Sequence, residues 1–138
     1  MDVDISKYLD SAKELMGVKC VELSRPIFYY ARNEQKHPIV TVCLLVLKEE
    51  GEEPVVSRGV SICSPIEGVR KPEGRKRALK RAMHAVYTQC ESDYLICRNE
   101  AIDQIDSTEL DPLITYKSTY DCVLTTFEMQ LLEKLKLI

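Results

Sequence analysis

The chain has 138 residues, enough for one hydrophobic core and too few for several domains. Hydrophobic residues make up 45% and charged residues 30%, a globular balance that excludes a disordered chain. A net charge of −3 argues against a general nucleic-acid coat protein, which would be basic overall.

Trp is absent and Phe occurs twice, so the core must rest on Val, Ile, Leu and Ala, with Tyr as the main aromatic. The opening Met1-Asp2-Val3-Asp4 is acidic and starts no apolar run, so no secretory leader is expected. The longest apolar stretch, residues 39–47 interrupted by Thr41, falls far short of the ~20 residues that span a bilayer. No membrane partner and a cytoplasmic location are therefore expected. The six cysteines are Cys20, Cys43, Cys63, Cys90, Cys97 and Cys122. Most lie in apolar or strand-like runs with no Cys-x-x-Cys pair, and neither His37 nor His84 stands at ligand spacing from them. Buried, reduced thiols are expected, with no zinc and no cofactor.

In chain order, residues 4–16 place Ile5, Tyr8, Leu9, Ala12, Leu15 and Met16 at spacings of three and four, predicting an amphipathic helix. Asp4 suits its N-cap and Gly17 its C-terminal end. Strand-like runs follow over 18–24 and 27–32, separated by Arg25-Pro26, which marks a bend or bulge. Residues 39–48 fit a central strand, and 55–63 its partner across the acidic hairpin loop 49–54. Connections this short favour an antiparallel meander.

The loop 64–74 leads into a helix expected from about Arg75 to near Cys90, with Ala78, Leu79, Ala82, Met83 and Val86 as its apolar stripe. Residues 94–98 read as either a short strand or a helical turn, and 99–111 as loop with some helix. One or two strands are expected within 113–124. Thr125-x-x-Glu128 is a capping-box pattern opening a helix that runs to the C-terminus. Its Leu131, Leu132, Leu135 and Ile138 predict docking or self-association. The expected architecture is one α+β domain over 1–138: an antiparallel sheet of about four to six strands with an N-terminal, a central basic and a C-terminal helix.

Charge is unevenly spread. Residues 70–81 hold seven Lys or Arg against one acid, Glu73, a local +6 that leaves −9 on the remainder. This pattern favours one focused anion site on a surface that otherwise repels anions. A helix start is already an anion site, because its first N–H groups lack intrahelical partners. Gly74 just before the expected start would let the backbone approach a bound group. Arg75 and Arg77 put cations where the helix dipole favours acids, a local conflict that an anion would relieve. Arg77 and Arg81 stand four apart, and Arg77, Lys80 and His84 share one side. A phosphate there would turn like-charge repulsion into charge-assisted hydrogen bonds. An ordinary solvated basic face is the plain alternative, as is a neutral exposed His84.

Arg58 is the second anomaly. In an ideal strand it lies with Val56, Val60 and Ile62, opposite Ser57, Gly59, Ser61 and Cys63, so it interrupts an apolar face. A buried guanidinium must meet a carboxylate, a ligand or a subunit boundary. Otherwise a bulge at Gly59 flips the phase and exposes it. The P-loop and nucleophile-elbow patterns are both missing, and no carboxylates form a recognisable acid/base or metal set. No enzyme is expected. Tyr29, Tyr30, Tyr116 and Tyr120 suit either core packing or base stacking.

The run Arg58-Gly59-x-Ser61-Ile62-Cys63-Ser64, then Gly74-Arg75-x-x-Ala78-x-x-Arg81-Ala82, resembles a pattern in small phage-encoded Thoeris anti-defence sponges. The resemblance covers about 25 residues in the middle of the chain. It implies a non-enzymatic, oligomeric α+β protein that captures cyclic ADP-ribose-type signals, and in some members cyclic oligonucleotides, without cleaving them. The residues it carries over are Arg58, Gly59, Ser61, Ser64, Gly74, Arg75 and Arg81; Arg77 and His84 join them from the helical spacing. The expected partners are a small phosphate-bearing nucleotide and further copies of the chain. Two alternatives stand beside it: a nucleic-acid-binding regulator laying the helix over 75–89 on phosphates, and an inhibitor using the basic patch against an acidic protein.

Overall fold

The computed structural model describes residues 21–63, 71–91, 100, 102, 105 and 108–138. The predicted N-terminal helix and most of segment 94–111 lie outside them, as do Ser64, Cys20 and Cys97.

The sheet is organised by its longest strand. Its strands are β1 (Val21–Leu23), β2 (Ile27–Ala31), β3 (Val40–Glu49) and β4 (Val55–Ile62), all antiparallel. β1 and β2 pair with one edge of β3, and β4 with the other. Two helices follow, α1 (Lys71–Thr88) and α2 (Thr126–Lys134). Residues 40–47 of β3 are all buried, because each face of the sheet carries its own cover. Val40, Val42, Leu44 and Val46 pack with Val56, Val60, Ile62, Ile114 and Leu132 on one face. Cys43, Leu45 and Leu47 pack with Leu23, Ala78, Leu79, Ala82, Met83 and Val86 on the other, under α1. A β-branched, apolar run suits a strand buried on both sides.

The bend expected at Arg25-Pro26 is a bulge. Leu23 pairs with Leu47 and Ile27 with Leu44, so residues 24–26 face only residues 45 and 46. Ser24 N donates to Val46 O, and Ser24 Oγ accepts from Val46 N, both at 2.9 Å. The hydroxyl thus replaces a ladder carbonyl where the chain bends. The hairpin turn has Gly51 at φ +80°, and Glu52 N donates to Glu49 O at 3.0 Å. A left-handed residue at the third position of such a turn favours glycine.

Three expectations are corrected. The central helix begins at Lys71, four residues before Arg75, because Pro72 sits in the first turn where its missing N–H costs nothing. It ends at Thr88, near Cys90 as expected. No strand forms within 113–124; the segment meets the sheet through a bridge between Thr119 and Arg58, supported by Cys122 N on Val56 O at 3.0 Å. The C-terminal helix stops at Lys134. There Lys136 turns left-handed (φ 59°), Lys136 N donates to Glu133 O, and Leu137 N to Leu132 O, a Schellman arrangement. Leu131, Leu132, Leu135 and Leu137 pack into the domain's own core, leaving Phe127, Met129 and Ile138 as the exposed apolar residues of this end. Cys43 is buried as expected, whereas Cys90 is exposed; both are free thiols.

Candidate anion-binding helix

The residues singled out around the basic segment fall into three groups once folded. Gly59 and Gly74 position α1 on the sheet, and Ser61 is buried in the interior. A Cβ on Gly59 would overlap the Ala78 carbonyl oxygen and the Ala82 nitrogen, so glycine is what lets the helix backbone lie against β4. Ser57 Oγ, on the same side, donates to Ala82 O at 2.8 Å. Ser61 is 2% exposed. Gly74 lies inside the first turns of α1, and its Cβ would come within 2.5 Å of Thr41 Oγ1. It is thus a point of helix–sheet approach rather than a residue preceding the helix, which corrects the expected cradle.

Arg58 and Arg81 form the second group, and each is met by a carboxylate. No bulge interrupts the β3–β4 register, so Arg58 keeps the apolar-face position its alternation predicts and is 3% exposed. Its Nε donates to Glu128 Oε2 at 2.9 Å, one Nη to Glu128 Oε1, and the same Nη to Val123 O at 2.9 Å. Tyr29 Oη adds a 2.6 Å hydrogen bond to Glu128 Oε2. Burial is the largest single influence and works against the Arg58 charge, but the hydrogen bonds to Glu128 and the fields of Cys122, Glu128 and Tyr29 together outweigh it and raise the guanidinium's pKa. Burial, reinforced by the Glu128 carboxylate, holds the Tyr29 phenol protonated well above tyrosine's ordinary range. Cys122, beside the cluster, is pushed up to about 11, chiefly by burial.

Arg81 is 2% exposed and reaches from α1 to the outer edge of β4. One Nη donates to Val60 O and to Glu100 Oε2, each at 2.7 Å, and the other to Glu100 Oε1. Glu100 Oε2 also accepts from Ile62 N at 2.8 Å. The edge of β4 is therefore covered by side chains at Val60 and Ile62, and by backbone at Val56 and Arg58, which protects an exposed ladder.

The third group remains at the surface of α1. Lys71, Lys76 and Lys80 are exposed, while Arg75, Arg77 and His84 are half-buried. Arg75 donates to Tyr30 Oη at 2.9 Å, and Lys71 Nζ lies 4.9 Å from the Tyr30 ring centroid. The structure thus brings Arg75 and Arg77 together with the lysines on one helix, and separates them from Arg58, Gly59 and Ser61, which are enclosed.

Sequence reasoning missed Glu100, Glu128 as an ion-pair partner, and Thr41, while Tyr30 was singled out as an aromatic but not as a neighbour of Arg75. Only Glu128 carried a signal, its capping-box position, and that signal pointed to helix capping. Among the described residues no three His, Cys, Asp or Glu side chains come together to hold a metal ion. Among the same residues no helix is long and apolar enough to cross a membrane. Compared with family models, curated proteins and solved structures, the chain finds no match.

Proposed function

We propose that this protein binds a small phosphate-bearing ligand on the outer side of α1 and holds it without chemical turnover. The observation that carries this reading is the exposed basic side of α1. Arg81 is enclosed with Glu100, whereas Lys71, Lys76 and Lys80 are exposed, and Glu73 is the one acid in the helix sequence. Closely spaced cations on a helix repel one another and gain from a shared anion. Tyr30, tied to Arg75 and flanked by Lys71, adds an aromatic surface beside the cations.

The ligand class comes from the resemblance to the anti-defence sponges: a cyclic ADP-ribose-type or related cyclic nucleotide signal, sequestered in the host cytoplasm by an oligomeric phage protein. Because Arg58, Gly59 and Ser61 are enclosed, the contacts assigned to the ligand are Lys76, Arg77 and Lys80, which share the outer side of α1, while Lys71 and Arg75 gather round Tyr30 at its start. The protein is incubated with cell extract containing such signals, re-isolated and heat-denatured, and the released small molecules are identified by mass spectrometry. Recovery of an intact cyclic nucleotide supports the reading; recovery of no nucleotide rejects it.

A second reading takes the same cations as contacts for a polymer. Lys76 and Lys80 stand four residues and roughly 6 Å apart on one exposed side of α1, a spacing that suits successive phosphates. Binding to a long polynucleotide that falls steeply with added salt would favour it over a small-ligand site.

A further inference from the structure

The two edges of the sheet are finished differently. Along β3 the even-numbered residues turn their N–H and C=O groups toward β1 and β2, as the bonds of Val46 with Ser24 show. The odd-numbered ones turn toward β4, as Ile39 O, just before the strand, does in accepting from Cys63 N. Ile27, Tyr29 and Ala31, opposite Leu44, Val42 and Val40, therefore direct their ladder groups into the sheet, and Phe28, Tyr30 and Arg32 direct theirs outward. On β4 the outward positions are met: Val56 O by Cys122 N, Arg58 by Thr119, Val60 O by Arg81 and Ile62 N by Glu100. On β2, Arg32 O accepts from Glu109 N at 3.1 Å, and among the described residues no group bonds the outward N–H or C=O of Phe28 or Tyr30.

Unpaired ladder groups on an edge are a template for another strand. Here the stretch is short and bounded, by Pro26 and the bulge on one side and by Glu109 on the other. Its two flanks differ in chemistry. Phe28 and Tyr30 pair with Cys43 and Thr41 and so lie on the α1 side of the sheet. There Arg75 donates to Tyr30 Oη at 2.9 Å, and Lys71 Nζ stands 4.9 Å from the Tyr30 ring centroid. Tyr29 faces the opposite side, where the 54% exposed Phe127 ring meets it edge-on with centroids 5.0 Å apart. A strand added beside β2 would alternate its side chains between these two environments, cations on one side and an aromatic pair on the other.

We infer that the β2 edge is a docking site for an extended peptide of a partner protein, added as an outer strand on Phe28 and Tyr30. Its acidic side chains face Lys71 and Arg75, and its apolar ones face Tyr29 and Phe127. Main-chain hydrogen bonds give such a contact its affinity, and the alternating side chains give it specificity. Charge complementarity selects the occupant, because two cations beside the edge repel a basic strand and favour an acidic one. The site lies at the start of α1, apart from the Lys76–Arg77–Lys80 side assigned to a phosphate-bearing ligand, and depends on neither that ligand nor its contacts.

The probe is a fluorescein-labelled peptide of sequence Val-Glu-Val-Glu-Val-Glu-Val, titrated with the full chain and read by anisotropy, with the protein's backbone amides followed by NMR. In dilute peptide-free protein the Phe28 and Tyr30 amides should exchange rapidly with solvent, while those of Tyr29 and Ala31 are protected. Saturating peptide should slow exchange at Phe28 and Tyr30. The same peptide with every backbone nitrogen methylated has no N–H to donate and should not bind. Replacing its glutamates by lysines should weaken binding to the parent chain about tenfold, and Lys71→Glu/Arg75→Glu should reverse that preference. The peptide exchange is made on the unaltered protein, so it decides the matter even where the double variant fails to fold. Phe28 and Tyr30 amides already protected in dilute protein would overturn the inference. Protection that grows with protein concentration alone would do the same, since it marks a second copy as the occupant. So would equal binding of the methylated or lysine peptide, or no binding of the glutamate peptide at about 1 mM, which leaves Lys71 and Arg75 as charges that merely guard a bare edge. A failed search for bound nucleotide changes none of these outcomes, so the two proposals can fail separately.

Discussion

Arg58 and Glu128 stand 70 residues apart in the chain and meet as a buried ion pair, 3% and 0% exposed, that ties the sheet to the C-terminal helix. Glu128 has two structural duties. It accepts from both sides of the Arg58 fork, and its Oε1 also accepts from Thr125 N at 3.0 Å while Thr125 Oγ1 accepts from Glu128 N at 3.0 Å. The carboxylate that closes the capping box of α2 is therefore the one that neutralises the buried arginine. Helix start and helix docking depend on one side chain.

Removing that carboxylate should be severe. Glu128→Ala leaves a buried guanidinium unpaired, and stability to urea should fall by about 3–5 kcal/mol. The double variant Arg58→Met/Glu128→Leu should recover most of the loss, because an apolar pair of similar size needs no desolvated charge. A double-mutant cycle in urea checks this; additive losses would show that the pair is not coupled.

The cap itself should contribute less. Thr125→Ala removes the acceptor for Glu128 N but leaves the ion pair, and should cost about 1 kcal/mol in the same measurement.

Gly59 and Gly74 should respond differently to alanine. At Gly59 the new Cβ meets helix backbone, which can yield only by lifting α1 from the sheet, so a loss of about 2–3 kcal/mol is expected. At Gly74 it meets the Thr41 hydroxyl, which can rotate, and alanine favours the helix. Gly74→Ala should therefore change the thermal midpoint much less than Gly59→Ala does.

Arg81→Gln and Lys80→Gln separate structure from binding at neighbouring positions. The first leaves the Glu100 carboxylate, 1% exposed, without its guanidinium, and should lower stability by several kcal/mol. The second changes an exposed side chain and should leave stability within about 0.5 kcal/mol while weakening any anion bound on α1. Urea titration and calorimetric titration with the recovered ligand read the two effects.

Alkaline pH should unfold the protein earlier than its composition implies. Cys43, Cys122 and Tyr29 all have pKa values raised by burial, so the folded state keeps protons that the unfolded chain releases. A raised pKa contributes stability that is complete below the unfolded value and lost as pH climbs through the folded one. The urea midpoint should therefore begin to fall near pH 9 as cysteines titrate in the unfolded chain, and fall faster above pH 10 as Tyr29 joins them. Cys122→Ala should flatten the window between about pH 9 and 11.

Much of the fold was legible because it is encoded locally. The alternation of residues 55–63, the apolar run of 39–48 and the Thr125–Glu128 box each sit within one element, so the strands fall within a few residues of expectation and α2 starts where its cap predicts. The apolar break at Arg58 was also readable, as was its need for a carboxylate, a ligand or a boundary. The start of α1 was misplaced because Pro72 reads as a loop residue unless its first-turn position is known.

What only the tertiary structure decided is which charges are spent inside the molecule. Sequence by itself determined a single α+β chain with a +6 segment and an arginine on an apolar face. It could not tell that Arg81 belongs to Glu100, Arg58 to Glu128, or that Gly59 and Gly74 serve helix packing. These pairings join distant positions, and a charge count treats a buried, neutralised guanidinium and an exposed lysine alike. Burial separates them, because an ion pair withdrawn from water must be complete, whereas a solvated one need not be.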